Sequence, residues 1–187
     1  MRPGPSPYPR TPHGGGALPF LEQRHRSFTL TAPRNLPDPY GQIVPNITAC
    51  VDAFLNSPAA NPGHRGIEKA GRLVRTWLER TGHPQRGLPP AALLMEEAGT
   101  GGALFRNLHR DFVAECTEWL DSCLRTGHTL YSEAAGLWTD TAALIAKAGK
   151  AGDEQCLAQA GSILADVARI ERGAMRALTR LGSETPA

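Results

Sequence analysis

No apolar run in this sequence approaches the roughly 20 residues that a helix needs to cross a bilayer. The N-terminus carries Arg2, but its longest apolar stretch, Ala17 to Leu21, is broken by Pro19. That is too short for the core of a signal peptide, so a cytoplasmic protein is expected. An excess of one charge is missing too. Lys and Arg number 20 against 18 Asp and Glu, a net charge of +2. Such balance offers no footprint for nucleic acid or an anionic membrane, and neither is expected as a partner. Cysteine is scarce, and Cys50, Cys116, Cys123 and Cys156 include no C-x-x-C pair. In a reducing compartment these thiols are expected as small buried side chains, with Cys116 and Cys123 two turns apart on one helical face. No H-E-x-x-H motif or paired Cys/His spacing occurs, so no metal and no cofactor is expected. No run of β-branched residues argues for a sheet, and no repeat of fixed period is found.

Proline and glycine are concentrated at the front. Pro3, Pro5, Pro7, Pro9 and Pro12, followed by Gly14-Gly15-Gly16, exclude a continuous helix and leave little to bury. Residues 1–39 are therefore expected as a flexible, extended arm. Within it, the alternation at Ser27 to Thr31 suits a short strand or an extended segment. Residues 40–182 have helical spacing, and 183–187 are expected as a disordered tail.

Ile43, Ile47, Val51 and Phe54 mark a first helix ending near Asn56. Asn61 is placed to cap a second and Pro62 to open it, with Ile67, Ala70, Leu73, Val74, Trp77 and Leu78 as its apolar face. Pro89 and Pro90 suit the start of a third, with Leu93, Leu94 and Met95 to bury. The next helix is predicted from about Gly101 to Leu124, with Phe105, Leu108, Phe112, Cys116, Trp119 and Cys123 as core stripe. Thr126-Gly127 reads as a break. Leu130, Ala134, Leu137, Trp138, Ala142 and Ile145 mark a further helix, and Gly149 to Gly152 a short connection. Asp153 is a candidate cap for the last helix, whose stripe runs through Cys156, Ala160, Leu164, Val167, Ile170, Ala174 and Leu178. The expectation is one domain of all-α class, a bundle of five to six helices behind a Pro/Gly-rich arm.

The sharpest local signal lies between Met95 and Phe112. Gly99, Gly101 and Gly102 bracket Thr100 just before an amphipathic segment. Such a cluster marks a turn with unusual backbone angles or close approach by another group. On a structural reading, the glycines let two helices approach while Glu96 and Arg106 pair to fix the bend. On a functional reading, Thr100 and the amides of Gly101 and Gly102 hold an oxygen at a helix start, and Arg106 holds a carboxylate or phosphate. Glu96 would then receive an amine or a proton. His109, three residues beyond Arg106, is a candidate base on the same side of the helix.

The pattern E-x-x-G-T-G-G-x-x-F-R, carried by Glu96, Gly99, Thr100, Gly101, Gly102, Phe105 and Arg106, resembles the motif of the C-terminal helical domain of the butirosin biosynthesis protein H family. Upstream, Asn61-Pro-Gly-His-Arg-Gly66-Ile67 followed by Trp77 is similar to the segment that precedes the motif in that family. The likeness spans roughly Ile43 to Leu181; the family has an aromatic where His109 stands. The resemblance implies bacterial natural-product biosynthesis, with transfer of an aminoacyl or peptidyl group from a carrier-protein thioester to an amine. It also implies a preceding papain-like domain that supplies a cysteine nucleophile. The arm is too short to form one, so a chain without that domain is expected.

Two functions follow from these readings. One is an enzyme or enzyme subunit that binds an acyl or peptidyl intermediate beside the Gly99–Gly102 turn. The other is a non-enzymatic helical module that docks on a separate catalytic subunit or an acyl carrier protein, or pairs as a homodimer through an apolar helix face. A pocket shared by Glu96, Arg106 and His109 would favour the first, and a broad apolar patch outside a filled interior the second.

Overall fold

A computed structural model describes residues 39–97, 102–117 and 123–182. They form α1 (Pro39–Leu55), α2 (Gly63–Leu73), a 3-10 turn (Val74–Thr76), α3 (Trp77–Arg80), α4 (Pro84–Glu97), α5 (Ala103–Thr117), α6 (Cys123–Ala151), α7 (Glu154–Leu178) and a closing 3-10 turn (Thr179–Gly182). The protein is an all-α bundle, and no strand occurs among the described residues. Residues 63–80 act as one interrupted helix, which makes six helices among the described residues. None of the described helices is long and apolar enough to cross a membrane. The arm residues 1–38, including Ser27 to Thr31, and the tail 183–187 lie outside the described residues.

The axis of the bundle is the hairpin of α6 and α7; α4 and α5 pack on α6, and α2 packs on α7. The hairpin connection is short because each end is satisfied locally. Gly152 adopts φ +69, a left-handed angle that suits glycine, and its N–H donates to Ala148 O at 2.8 Å. Asp153 then caps α7 as expected, its Oδ1 accepting from Gln155 N at 2.9 Å and Cys156 N at 3.4 Å. Two apolar clusters fill the interior. One gathers Val74, Leu88, Trp138, Ile145, Leu157 and Leu164; the other gathers Ile47, Val51, Val113, Leu124, Tyr131 and Leu178. Full burial of one such aliphatic side chain contributes about 1.5–3 kcal/mol.

Packing overrides the sequence pattern at several points. Helix α4 opens at Pro84, so Pro89 and Pro90 lie inside it. Pro84 takes the first helical position, where a missing N–H leaves no bond unmade. Leu88 and Ala92 are the buried residues of α4, whereas Leu93 and Leu94 are exposed. Gly149 belongs to α6 rather than to a connection. A Cβ there would sit 2.7 Å from Leu88 Cβ and 2.8 Å from Pro89 Cδ, so the bare backbone is what seats α4. Thr126 and Gly127 also lie within α6, and a Cβ on Gly127 would sit 2.9 Å from Leu178 Cδ2.

The second helix starts one residue later than expected. Pro62 precedes α2 without a side-chain cap, and Asn61 Oδ1 instead accepts from Lys69 Nζ at 2.9 Å. Cys116 and Cys123 stand on different helices, α5 and α6. Cys116 and Cys156 are buried as expected, but Cys50 is exposed.

The largest correction concerns α5. Phe105, Leu108 and Phe112, expected in the core, are exposed, and Trp119 lies outside the described residues. The buried residues of α5 are Ala103, Val113 and Cys116, with Arg106 also turned towards the interior. The outward set is spaced by three and four residues and the inward one by three and seven. Both spacings keep to one helical face, so periodicity alone does not choose between them.

Candidate functional site

The glycine turn joins α4 to α5. Gly99, Thr100 and Gly101 lie outside the described residues, so the proposed cap and oxygen-holding amides are not placed. Gly102 is described and buried. A Cβ on it would lie 1.8 Å from Met95 O. This is the close backbone approach that the glycine cluster implied, and only glycine fits it.

Arg106 and Glu96, expected as partners, face different surroundings. The Arg106 guanidinium grips Glu171 of α7 with both arms. Nε donates to Oε1 at 2.6 Å and Nη2 donates to Oε2 at 2.9 Å. The Trp138 indole of α6 donates to the same Oε1 at 2.8 Å, and its ring lies 4.8 Å beneath the guanidinium carbon. One carboxylate, with 1% of its side chain exposed, thus ties α5, α6 and α7 together. The paired, planar geometry suits arginine, and the three donors compensate the buried charge.

Glu171 is the residue sequence reasoning missed. It follows Val167 by four and precedes Ala174 by three, so it occupies a core-facing position in the apolar stripe of α7. An acid at such a position signals a buried cationic partner.

His109 is brought to the same cluster as Arg106. Its ring meets Tyr131 edge-on, with centroids 4.4 Å apart, and its buried Nε2 has no hydrogen-bond partner. Burial lowers its pKa below 6.5, Arg106 acts in the same direction, and Glu171 opposes them. The imidazole is therefore neutral at pH 7 and can accept a proton. Burial pushes the Tyr131 phenol well above its ordinary range, so it stays protonated. His109, Arg106, Tyr131, Glu171 and Phe54 line a hollow of about 220 Å³. The side chains around it can hold a small polar molecule, but the guanidinium already serves Glu171.

Glu96 instead lines a trough between α4 and α6. Its Oε2 accepts from Thr139 Oγ1 at 3.1 Å, while its buried Oε1 has no partner. The structure therefore unites Arg106 with His109 and sets Glu96 in a separate trough.

Against known proteins, residues 17–178 match the family described as Domain of unknown function (DUF4872), and the chain belongs to that family. The match covers the helices up to the end of α7 and begins ahead of α1. No curated protein and no solved structure matches the chain.

Proposed function

We propose that the protein is an accessory helical module of bacterial natural-product biosynthesis that works in the cytoplasm. It docks through the outer face of α5 on a separate catalytic polypeptide of a carrier-protein-dependent acyl-transfer system. The observation that carries this reading is the stripe of Phe105, Leu108 and Phe112, exposed at 49%, 55% and 38%. Spaced by three and four residues, the three side chains share one face. Large aromatic and aliphatic groups left together in water suit a partner surface, where a central anchor contributes about 2 kcal/mol or more. The arrangement inside the bundle supports the same reading. Arg106 is engaged by Glu171, and Glu96 lines a different hollow from His109. The acid of a self-contained acyl-transfer site is thus set apart from the base and the cation. The likeness of the Glu96–Arg106 motif to acyltransferase helical domains supplies the system.

The test is reconstitution. A carrier-bound aminoacyl substrate is expected to turn over only when a second, catalytic polypeptide is present. Phe105→Asp with Leu108→Asp should weaken that association about 30-fold or more without changing the circular dichroism. Turnover by this protein alone, or association indifferent to the double substitution, overturns the reading. The acyl-binding alternative is favoured by one observation, the unpartnered Glu96 oxygen beside an apolar trough.

A further inference from the structure

Helices α4 and α6 leave between them a trough of about 510 Å³, within the range of about 300–1,000 Å³ usual for small-molecule sites. Its α6 side is lined by the small side chains of Ala142, Ala143 and Ala146, and its α4 side by Pro89, Pro90 and Leu93. The lining is apolar except near its two ends. Glu96 lies beside Thr139 at one end, and Lys150 lies at the other. Lys150 follows Thr139 by eleven positions on α6, a rise of about 16 Å at 1.5 Å per residue.

The acid end is incompletely satisfied. Thr139 serves one oxygen of Glu96, and the other is buried without a donor. A buried carboxylate oxygen in that state favours any group that brings N–H bonds and positive charge. At the far end, the Lys150 ammonium offers the complementary charge to an anion. An occupant that satisfies all three parts has an ammonium, an apolar body and an acidic group, in that order.

We infer that the trough between α4 and α6 binds an unbranched ω-amino acid, its ammonium on Glu96, its chain over Ala142, Ala143 and Ala146, and its carboxylate at Lys150. This site is independent of the docking face on α5, so either can fail without the other.

Titration calorimetry at pH 7 with ω-aminododecanoate, dodecylamine and dodecanoate tests the inference. The ω-amino acid should bind saturably and most tightly. Glu96→Gln should weaken both amines at least tenfold and leave dodecanoate unchanged. Lys150→Met should weaken the two acids about threefold or more and spare dodecylamine. Ala143→Phe, an exposed position on the trough's lining, should abolish binding of all three while the helical content stays the same. No saturable binding of ω-aminododecanoate to the intact protein overturns the inference. So does an unchanged affinity for both amines after Glu96→Gln, or binding that survives Ala143→Phe.

Discussion

Replacing Arg106 by leucine should destabilise the bundle far more than the loss of a surface charge would. The Glu171 carboxylate is 1% exposed and accepts three N–H bonds, two of them from Arg106. Leucine removes both and leaves Trp138 as the remaining donor to a buried anion. Breaking such a pair from one side costs about 3–5 kcal/mol, because the stranded charge keeps its desolvation penalty. The guanidinium's stacking on Trp138 adds about 1 kcal/mol to the loss. Total stabilities of about 5–15 kcal/mol make this a large fraction. At about 2–4 °C per kcal/mol for a chain of this size, Tm should fall by on the order of 10 °C. Urea unfolding followed by far-ultraviolet circular dichroism measures the change, and Trp fluorescence gives a second probe. The decisive control is Arg106→Leu with Glu171→Leu. Removing both charges leaves no stranded charge, although the Trp138 N–H loses its acceptor in the Glu171→Leu single and in the double alike. The double variant should therefore be more stable than the two single losses added together, by about 2 kcal/mol or more. A single-variant cost below about 1 kcal/mol, or strict additivity in the double, would refute the reasoning.

Two further outcomes are expected. Gly102→Ala sets a methyl group where Met95 O lies 1.8 Å away; it should cost stability at the upper end of about 1–3 kcal/mol or beyond, read from the shift in urea midpoint. His109 has a folded-state pKa below its ordinary 6.5, so the unfolded chain takes up the proton first. Its stabilising contribution is complete above that ordinary value and is lost as pH falls through the lowered one. His109→Phe keeps a ring against Tyr131 but cannot titrate, so the Tm of the native protein should fall relative to the variant's as pH drops below 6.5. A constant difference would show that burial of the imidazole is not coupled to folding.

The two longest helices were the most legible. Trp138, Ala142 and Ile145 on α6, and Leu164, Val167 and Leu178 on α7, hold the inward positions that their spacing gives, and Asp153 caps as its chemistry suggests. Glycine was harder to read. Gly127 and Gly149 suggest breaks, yet they sit inside α6 because Leu178 and the Leu88–Pro89 edge need the room. That need depends on residues far away in the sequence. Helix α5 carries two apolar sets in competing phases, and the one with larger side chains faces outward. The inward phase is chosen by Arg106, whose acceptor lies 65 residues further along the chain. Of the candidate site, the close approach at Gly102 and the position of Glu96 near the end of α4 were readable. The partner of Arg106 was not, because a motif records neighbours in sequence and the pair is made across the bundle.

The grip of Arg106 on Glu171 also sets an angle. A helix held against its neighbours by greasy contacts alone can roll or slip with little loss. Two directional bonds to one rigid fork permit a single rotation of α5 about its own axis. Rolling the helix far enough to hide Phe105 and Leu108 would tear those bonds and drive a cation into water while leaving an anion behind. The chain therefore presents its greasy ridge as a fixed key, already cut to one profile before anything approaches it.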